Sequence, residues 1–483
     1  MVNYHRSAAH RLPPETLAMV ASHLADDKSL IIATQVCHLW RSTFLASPCL
    51  WSRIDITNEQ LALVFLRRSK SAPVSVCFRL NGALSVRVRE SLKGITHRLA
   101  GLEGAHSEFL DELLAQPLPT LRKLDVSSVG GFLRKQSKPS LPSLRSLTVF
   151  GPGYSLPYAP HLTNFSFDPR LPTAHIGSLG GSLLDFFRSC PMLEVVFLRY
   201  GDPNTDIEFT TDQASTGAVP LPCIRSFTHE TPFDTIHIGL FDRLSLPLTC
   251  DVTFTVTIRD HSIGPWFRSF PPPRNPAYLS DVRAVKTTVD SHNAGTSDHT
   301  TYRVEFLNSK NMRITFIWVT ACPSGYLSSL MTERLLEYLG RRGMTHSVES
   351  LRFEQYPVSP RQGIIPAGGF TGGLQTFGRL KTLVLWQCNS VLFLEDLPPP
   401  AVWCPSVKKL VIFHLPRHPW GPAESDVLNR VQWVAASRRK YGTPLKTVTL
   451  YFQDVEKLSQ ACRRQIKELR NSVELMEVVG LSV

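Results

Sequence analysis

The sequence predicts an α/β fold in which short parallel strands stack one after another along a repetitive core. The stretch LPTLRKLDV at residues 118–126 returns almost unchanged as LPSLRSLTV at residues 141–149. Hydrophobic residues make up 43% of the chain and charged residues 19%, which suits a packed interior and argues against global disorder. The 483 residues are too many for one ordinary core, so a modular or elongated architecture is expected.

The repeated stretch belongs to a longer series in which apolar residues occupy the first, fourth and sixth positions. The complete copies are Leu121/Leu124/Val126, Leu144/Leu147/Val149, Leu162/Phe165/Phe167, Leu193/Val196/Leu198, Val348/Leu351/Phe353, Leu380/Leu383/Leu385, Val407/Leu410/Ile412 and Leu445/Val448/Leu450. Weaker copies begin at Leu99, Ile224 and Val282, and His229 spoils the one at Ile224. The last two apolar positions are two residues apart, so they lie on one face of a strand.

A proline makes the series specific. It stands two residues before the first apolar position in six copies, as Pro119, Pro142, Pro160, Pro191, Pro222 and Pro405. Proline ends a preceding helix or turn and biases the residue before it to extended geometry. Each unit is therefore a return segment, a proline-marked corner and a short strand, which must stack on its neighbours to bury its apolar face.

Some return segments show helix signals. SEFLDELLAQP has Ser107 as a candidate N-cap, and GSLLDFFRSCP ends at Pro191. Within residues 232–340, Asp251–Ile258 and the stretch 312–319 read as strands, whereas 271–276 and 289–303 read as loops. Residues 357–374 read as another long loop. Whether the stack runs through 232–340 or is interrupted there stays open.

Residues 12–54 predict three short helices. Pro13 and Pro14 open the first helix, along which one apolar face carries Leu17, Val20 and Leu24. Ser29 is a candidate cap for the second helix, which carries Leu30 to Thr34, and the third runs from Val36 to Phe44 or Leu45. About 43 residues cannot form a comfortable independent core, so the bundle is expected to pack on something else.

Net charge is +12, and its distribution is uneven. Residues 61–150 contain 14 basic and 6 acidic side chains, whereas residues 1–60 are balanced. The excess is either a solvated basic face or a site for an acidic or phosphorylated partner, for which Arg67, Arg68, Arg87 and Arg89 are the candidates. The few aromatic residues of this segment lie mostly at apolar-periodic positions, which makes nucleic acid an improbable partner.

Signals for catalysis, metals and membranes are weak. The chain has no GxSxG, GxxxxGK or HExxH motif, and the spacing of Cys388, Cys404, His414 and His418 fits no common zinc frame. Neither cofactor nor metal is therefore expected. The apolar runs are too short for a membrane span, the N-terminus lacks a signal-peptide core, and the ten cysteines are scattered. These features favour a cytoplasmic or nuclear protein with reduced thiols.

The N-terminal residues resemble an F-box. The resemblance rests on Leu12-Pro13-Pro14-Glu15, Leu17, Leu24, Leu30, Val36-Cys37, Trp40-Arg41 and Pro48-x-Leu50-Trp51. Ser29 replaces the usual Asp before the second helix, and the loop between Leu24 and Val36 is one residue longer. The repeats resemble the leucine-rich repeat family in an irregular form, since the spacing varies and only Cys388 occupies the family's Asn/Cys position.

The resemblance implies a three-helix F-box at residues 8–56. An irregular leucine-rich-repeat-like α/β solenoid with a parallel sheet follows at 57–483, with a possible insertion at 232–340. The segment directly after the F-box is similar to that of many fungal members.

Such proteins are non-catalytic subunits of Skp–cullin–F-box ubiquitin ligases. The F-box binds a Skp-type adaptor, which joins it to a cullin, and the repeats bind a protein substrate, here unknown. By position, the implied adaptor contacts are Leu12, Pro13, Leu17, Leu30, Val36, Cys37, Trp40, Pro48, Leu50 and Trp51. The other role open to these side chains is packing within the bundle. The alternative function is a non-ligase F-box scaffold, or a basic repeat protein that binds nucleic acid or an acidic partner.

Overall fold

The structure is a computed structural model that forms two compact units. The first consists of Met1–Gly201, Thr210–Asp212 and Val219–Ile224, and the second of Asp202–Phe209, Gln213–Ala218 and Arg225–Val483. The residues it describes are 12–24, 27–78, 84–105, 108–127, 140–151, 156–168, 179–199, 218–231, 243–258, 282–294, 297–310, 313–320, 346–355, 374, 377–386, 394, 404–414 and 423–480. Within these residues, no helix combines the length and apolar character that crossing a membrane requires.

The first unit begins with helices and continues as a parallel sheet. Its helices are α1 (Pro14–Ser22), α2 (Asp27–Ala33), α3 (His38–Ala46), α4 (Glu59–Arg68), α5 (Val86–Lys93), α6 (Glu108–Leu114) and α7 (Leu179–Ser189), with 3-10 turns at Pro48–Trp51 and Thr96–Arg98. Its strands are β1 (Arg53–Asp55), β2 (Val74–Phe78), β3 (Leu99–Ala105), β4 (Lys123–Ser127), β5 (Ser146–Phe150), β6 (Asn164–Asp168), β7 (Val195–Arg199) and β8 (Val219–Pro220). Strands β1 to β7 pair in chain order, and every pair is parallel.

The second unit continues the strand pattern and ends in two strand–helix repeats. Its strands are β9 (Ser226–Thr231), β10 (Leu244–Ser245), β11 (Asp251–Ile258), β12 (Val282–Ala294), β13 (Ser297–Asn308), β14 (Arg313–Thr320), β15 (Ser350–Gln355), β16 (Thr382–Trp386), β17 (Lys409–His414), β18 (Thr447–Phe452) and β19 (Leu475–Gly480). Its described helices are α8 (Glu424–Lys440), α9 (Gln460–Arg470) and a 3-10 turn at Val455–Lys457. Strands β15 to β19 pair in order and in parallel.

The apolar positions of the repeat meet in register inside each unit. In the first unit Leu124, Leu147, Phe165 and Val196 stand side by side on adjacent strands. In the second unit the matching row is Leu351, Leu383, Leu410 and Val448. Every one of these side chains is at most 4% exposed, which confirms the predicted fold class of an α/β solenoid-like stack with parallel strands. The prediction that His229 spoils its copy is wrong, because His229 is buried against the ring of Phe254.

The repeat proline has a specific turn position. In all six proline-bearing copies, the N–H of the first apolar residue donates to the carbonyl three residues earlier, at 3.1–3.3 Å. Leu121 donates to Leu118 across Pro119, and Val407 donates to Cys404 across Pro405. Proline is thus the second residue of a β-turn, where its fixed φ is already correct. The first residue of each turn is buried, so it adds one more core position to the repeat.

The region that sequence left open contains an inserted antiparallel strand. Strand β11 pairs in parallel with β9 and β14, and β12 pairs in parallel with β15. Strand β13 lies between β12 and β14 and is antiparallel to both. The prediction of a loop at 289–303 is therefore wrong. The many polar residues of this stretch favoured a loop. It also contains Val and Thr residues, which favour strands, and it lies in the long β12–β13 hairpin.

Several sequence features lie outside the described residues. They are the loop predicted at 271–276, residues 357–373 of the loop predicted at 357–374, the candidate cap Ser107, and Cys388 and His418.

Candidate functional site

Helices α1 to α3 form a small bundle whose interior is built from few side chains. Helix α1 packs against α3, and it buries Leu17 and Ala21, which are one turn apart. Leu30, Ala33, Thr43 and Phe44 are the buried residues that α2 and α3 contribute among those described. The bundle follows the three-helix prediction, but its inward faces differ from those expected.

Trp51 joins this bundle to the rest of the first unit. It is fully buried, and its indole N–H donates to the carbonyl of Phe44 at 2.9 Å. Its ring meets the edge of Phe65 on α4 at a centroid distance of 4.9 Å, and the guanidinium of Arg68 lies 4.4 Å above it. The expectation that the small bundle must pack on something else is thus met by α4.

Side chain to backbone hydrogen bonds fix the junction between α2 and α3. The sulfur of Cys37 accepts from the N–H of Trp40 at 3.5 Å, so Cys37 caps α3. Arg41 Nε donates to the carbonyl of Thr34 at 3.0 Å, which ties α3 to the end of α2. Helix α3 therefore begins at His38 rather than at Val36. Helix α2 begins at Asp27, so Ser29 lies inside it and is not its cap.

The predicted adaptor contacts fall into three groups. Leu12, Pro13 and Val36 are exposed; Cys37, Trp40, Pro48 and Leu50 are half-buried; Leu17, Leu30 and Trp51 are buried. The buried three face the interior of the first unit, so a partner that docks on this surface would meet the other seven.

Two of the most exposed apolar side chains of the bundle, Met19 and Ile32, were not among the predicted contacts. Met19 is 61% and Ile32 63% exposed, next to 61% for Val36 and 47% for Val20. Helical spacing explains their position, because residues two apart point to nearly opposite sides of a helix. Once Leu17 and Ala21 are known to face inward, Met19 must face outward. The apolar spacing favoured Val20 and Leu24 on the same face as Leu17, and this pattern gave no indication that Met19 and Ile32 are exposed.

A groove lies between the bundle and the first strands of the sheet. Its volume is about 1130 Å³. Met19, Leu24 and Leu50 supply apolar lining, and Arg53 and Asp55 of β1 supply charge. Neither Ile32 nor Val36 lines it, so the bundle presents apolar groups both in the groove and outside it.

The four candidate arginines of the basic segment have different surroundings. Arg67 and Arg87 are exposed, whereas Arg68 is half-buried on Trp51. Burial, followed by the neighbouring charge of Arg67, lowers the pKa of Arg68. Arg89 forms an ion pair with Glu112 and lies over the ring of Phe109. Two of the four guanidinium groups are thus already engaged within the protein.

The described part of the chain offers no metal site. No group of three or more His, Cys, Asp or Glu side chains is placed there to hold a metal ion. Burial raises the pKa of the Cys404 thiol to about 12 and lowers the pKa of His414. The Cys404 thiol donates to the carbonyl of Leu374 at 2.9 Å, and a neutral thiol is a poor metal ligand.

A known protein family matches the N-terminal bundle. A search of curated proteins returned no match for the chain. The F-box-like family model matches residues 9–57, which span α1 to α3, the turn at Pro48–Trp51 and β1. The N-terminal segment of this protein is therefore an F-box-like domain.

Proposed function

We propose that this protein recruits substrates to a Skp–cullin–F-box ubiquitin ligase. The F-box-like domain binds a Skp-type adaptor and through it a cullin, and the repeat sheets hold the protein substrate. Ubiquitin transfer is then performed by other subunits, in the cytoplasm or the nucleus. The observation that carries the proposal is the exposed apolar surface of a domain whose family binds such adaptors.

The exposed side chains explain how the domain could bind. Ile32 lies in the last turn of α2, Val36 lies in the turn that follows this helix, and Leu12 precedes α1. Each such side chain contributes roughly 1.5–3 kcal/mol when a partner removes it fully from water. A few anchors of this kind commonly dominate an interface. Trp51 holds the bundle on α4, so the surface is presented by a fixed support.

The test is adaptor affinity of the full chain after Ile32→Asp and Val36→Asp are combined. Both positions are exposed, so the variant should keep its fold, while two carboxylates buried at an interface should weaken binding more than tenfold, about 1.4 kcal/mol. Val86→Asp is the matched control, since Val86 is 74% exposed at the start of α5. Equal affinity of the double variant and the control, with unchanged melting curves, would contradict this docking surface.

A second variant tests the entry to α1. Leu12→Ala combined with Pro13→Ala removes two exposed contacts that no repeat uses. Adaptor affinity should fall while the melting temperature stays unchanged. If wild-type protein binds neither a Skp-type adaptor nor, through it, a cullin, the scaffold function replaces the ligase function.

A further inference from the structure

Three aromatic rings form a column on the outward face of the second unit. Trp386, Phe413 and Tyr451 occupy the same register position on β16, β17 and β18. Their centroids are 3.9 Å and 4.0 Å apart, and Phe413 and Tyr451 are parallel within 5°. The guanidinium of Arg352 on β15 lies 5.1 Å from the Trp386 ring and continues the column. All three rings are half-buried, although their strands bury the alternate residues completely.

The column presents ring edges rather than ring faces. Both faces of Phe413 are covered by its neighbours, the faces of Trp386 are covered by Phe413 and Arg352, and one face of Tyr451 is covered by Phe413. Nucleic-acid bases stack on open ring faces, so this column is poorly suited to them. Ring edges carry partial positive charge and attract apolar groups and electron-rich oxygens.

Lysines lie at the opposite end of the same strands. Lys381, Lys408 and Lys446 directly precede β16, β17 and β18, and successive backbone hydrogen bonds of 2.8 Å align them. Lys409 is the first residue of β17 and is exposed on the outward face, since the next residue, Leu410, is buried. The three strands and the residue before each hold these four lysines and no carboxylate.

The nearest carboxylates are on the flanking strands. Glu477 of β19 is exposed and accepts a hydrogen bond from the Thr449 hydroxyl at 3.2 Å, and the others form ion pairs. Glu349 pairs with Lys381 at 3.0 Å, and Glu474 pairs with Lys446 at 3.7 Å. Glu354, almost fully buried, pairs with Lys286 at 2.9 Å and with Arg352. Lys409, at the centre, has no ion-pair partner among the described residues. It therefore places an unpaired positive charge at the middle of the outward face.

Short side chains separate the lysines from the rings. Val384, Val411 and Thr449 occupy the register row between Lys409 and the rings, and Val411 and Thr449 are buried there. Lys409 and Phe413 are four residues apart on one strand, a distance of about 13 Å. The five strands β15 to β19 span about 19 Å, which is the length of roughly six residues of extended chain.

We propose that this aromatic–basic face, made of Trp386, Phe413 and Tyr451 with Lys409, binds an extended acidic peptide. Side chains of an extended peptide alternate between opposite sides. A peptide lying across the strands can therefore direct acidic side chains to the lysines and apolar ones to the rings. The preferred sequence alternates acidic and apolar residues. Peptide binding itself does not depend on the proposed function. Only the idea that the peptide is part of a ligase substrate rests on it.

The experiment measures direct peptide binding to the full chain by fluorescence anisotropy, without adaptor. The probe is a labelled six-residue peptide in which glutamate alternates with phenylalanine. Its comparison peptides have the same composition in two blocks, or lysine in place of glutamate. We expect the alternating peptide to bind most tightly and the lysine peptide not to bind, with affinity falling as salt rises.

Two variants locate the site. Lys409→Glu should weaken binding of the alternating peptide about tenfold, because it reverses a charge at the centre of the face. Lys440→Glu, an equally exposed change at the end of α8, should have no effect. Phe413→Thr should also weaken binding, and a melting curve of that variant separates lost contact from lost fold.

Several outcomes would overturn the proposal. They are absence of wild-type binding, equal binding of alternating and blocked peptides, equal affinity of the two lysine variants, or displacement of the peptide by a single-stranded oligonucleotide at equal concentration. Adaptor binding is measured separately on the full chain, with variants of the N-terminal bundle. Failure of the peptide experiment therefore leaves the ligase proposal intact, and failure of adaptor binding leaves the peptide site intact.

Discussion

The sheets of the two units share one pattern on their inner faces and differ on their outer faces. Inside, the row through Leu124 and Leu147 in the first unit matches the row through Leu383 and Leu410 in the second. Outside, the row that follows the last apolar position is Ser127, Phe150 and Asp168 on β4 to β6 of the first unit. The corresponding row on β16 to β18 of the second unit is Trp386, Phe413 and Tyr451, so only the second unit has three rings side by side. The inner rows must pack against neighbouring repeats, so their chemistry is constrained. The outer rows are free of that constraint, and function can vary there.

The outer faces also differ in charge. Glu103 and Asp125 are neighbours in register on β3 and β4 of the first unit, where Lys123 partly offsets them. Burial, with a contribution from Glu103, raises the pKa of Asp125. The corresponding surface of β16 to β18 carries lysines and no carboxylate. An acidic peptide should therefore distinguish the two units.

The largest effect should come from charging an inner position. Leu383→Asp and Leu147→Asp each bury an unpaired carboxylate and should each cost at least about 3 kcal/mol of unfolding free energy. Val384→Asp makes the same change at the half-exposed position next to Leu383, and it should cost about 1 kcal/mol or less. Chemical denaturation of the three variants measures this. Equal losses for Leu383→Asp and Val384→Asp would remove the distinction between inner and outer faces.

Two buried arginines offer a finer comparison. Arg438 on α8 donates to the carbonyls of Pro405 and Val407 at 3.1 and 2.8 Å in the turn before β17. Arg98 donates to the carbonyls of Leu66 and Ala72 at the end of α4, at 3.2 and 3.0 Å. Arg438→Met should cost roughly 2–4 kcal/mol, because buried acceptors lose charged donors.

The comparison between these arginines depends on burial. Arg98→Met should cost less than Arg438→Met, because Arg98 is 9% exposed and Arg438 is not exposed at all. Lysine at either position keeps the charge but not the forked donors, so it should restore little stability. A larger loss for Arg98→Met would show that burial does not set the order.

The outer aromatic column should matter moderately for stability. Phe413→Thr removes two ring contacts and should cost about 1 kcal/mol. Thr148→Ala, at the outer face of the first unit, should stay within about 0.5 kcal/mol of wild type. If thermal melting shows no cost for Phe413→Thr, the column contributes nothing to the sheet.

Cysteine thiols of the two units should differ in their rate of alkylation, with little change in stability. Burial raises the pKa of Cys250 and of Cys404 in the second unit to about 12, so both thiols stay neutral and protected at pH 8. Cys49 in the first unit is exposed and should react first with iodoacetamide, as mass spectrometry of the native protein would show. Alkylation of Cys404 as fast as Cys49 would contradict its burial.

The same two thiols make stability depend on alkaline pH. Their folded pKa lies above the unfolded value near 9, so the folded state favours the protonated form. This stabilising contribution is fully present below about pH 9 and is lost as pH rises toward 12. Cys404→Ala should flatten that part of the stability profile.

The repeat was predictable because its buried residues recur with a fixed spacing and a proline. Leu124, Leu383 and Leu410 each had local neighbours that indicated a strand. The β12–β13 hairpin was not predictable from the same signal, since its polar residues conceal the alternation. The aromatic column could not be predicted from the sequence for another reason. Trp386, Phe413 and Tyr451 come from three separate repeats, and only the strand register brings them together.

The bundle shows the limit of helical periodicity. Leu17, Val20 and Leu24 fit one apolar stripe, yet the structure buries Leu17 with Ala21 and leaves Val20 exposed. A helix of nine residues with apolar groups on several sides has no unique inward face. Which face of α1 is buried depends on α3 and on Trp51, and neither is part of that helix.

The inserted β13 strand has a consequence for the order in which the chain folds. Most neighbouring strands in both units are consecutive in the chain, so pairing can proceed while the protein is being synthesised. Strand β11 differs, because its partner β14 emerges only after the complete β12–β13 hairpin. Until then, one side of β11 has unpaired backbone groups and can pair with another nascent chain. We expect this edge to be the site where chaperone binding or aggregation begins during synthesis.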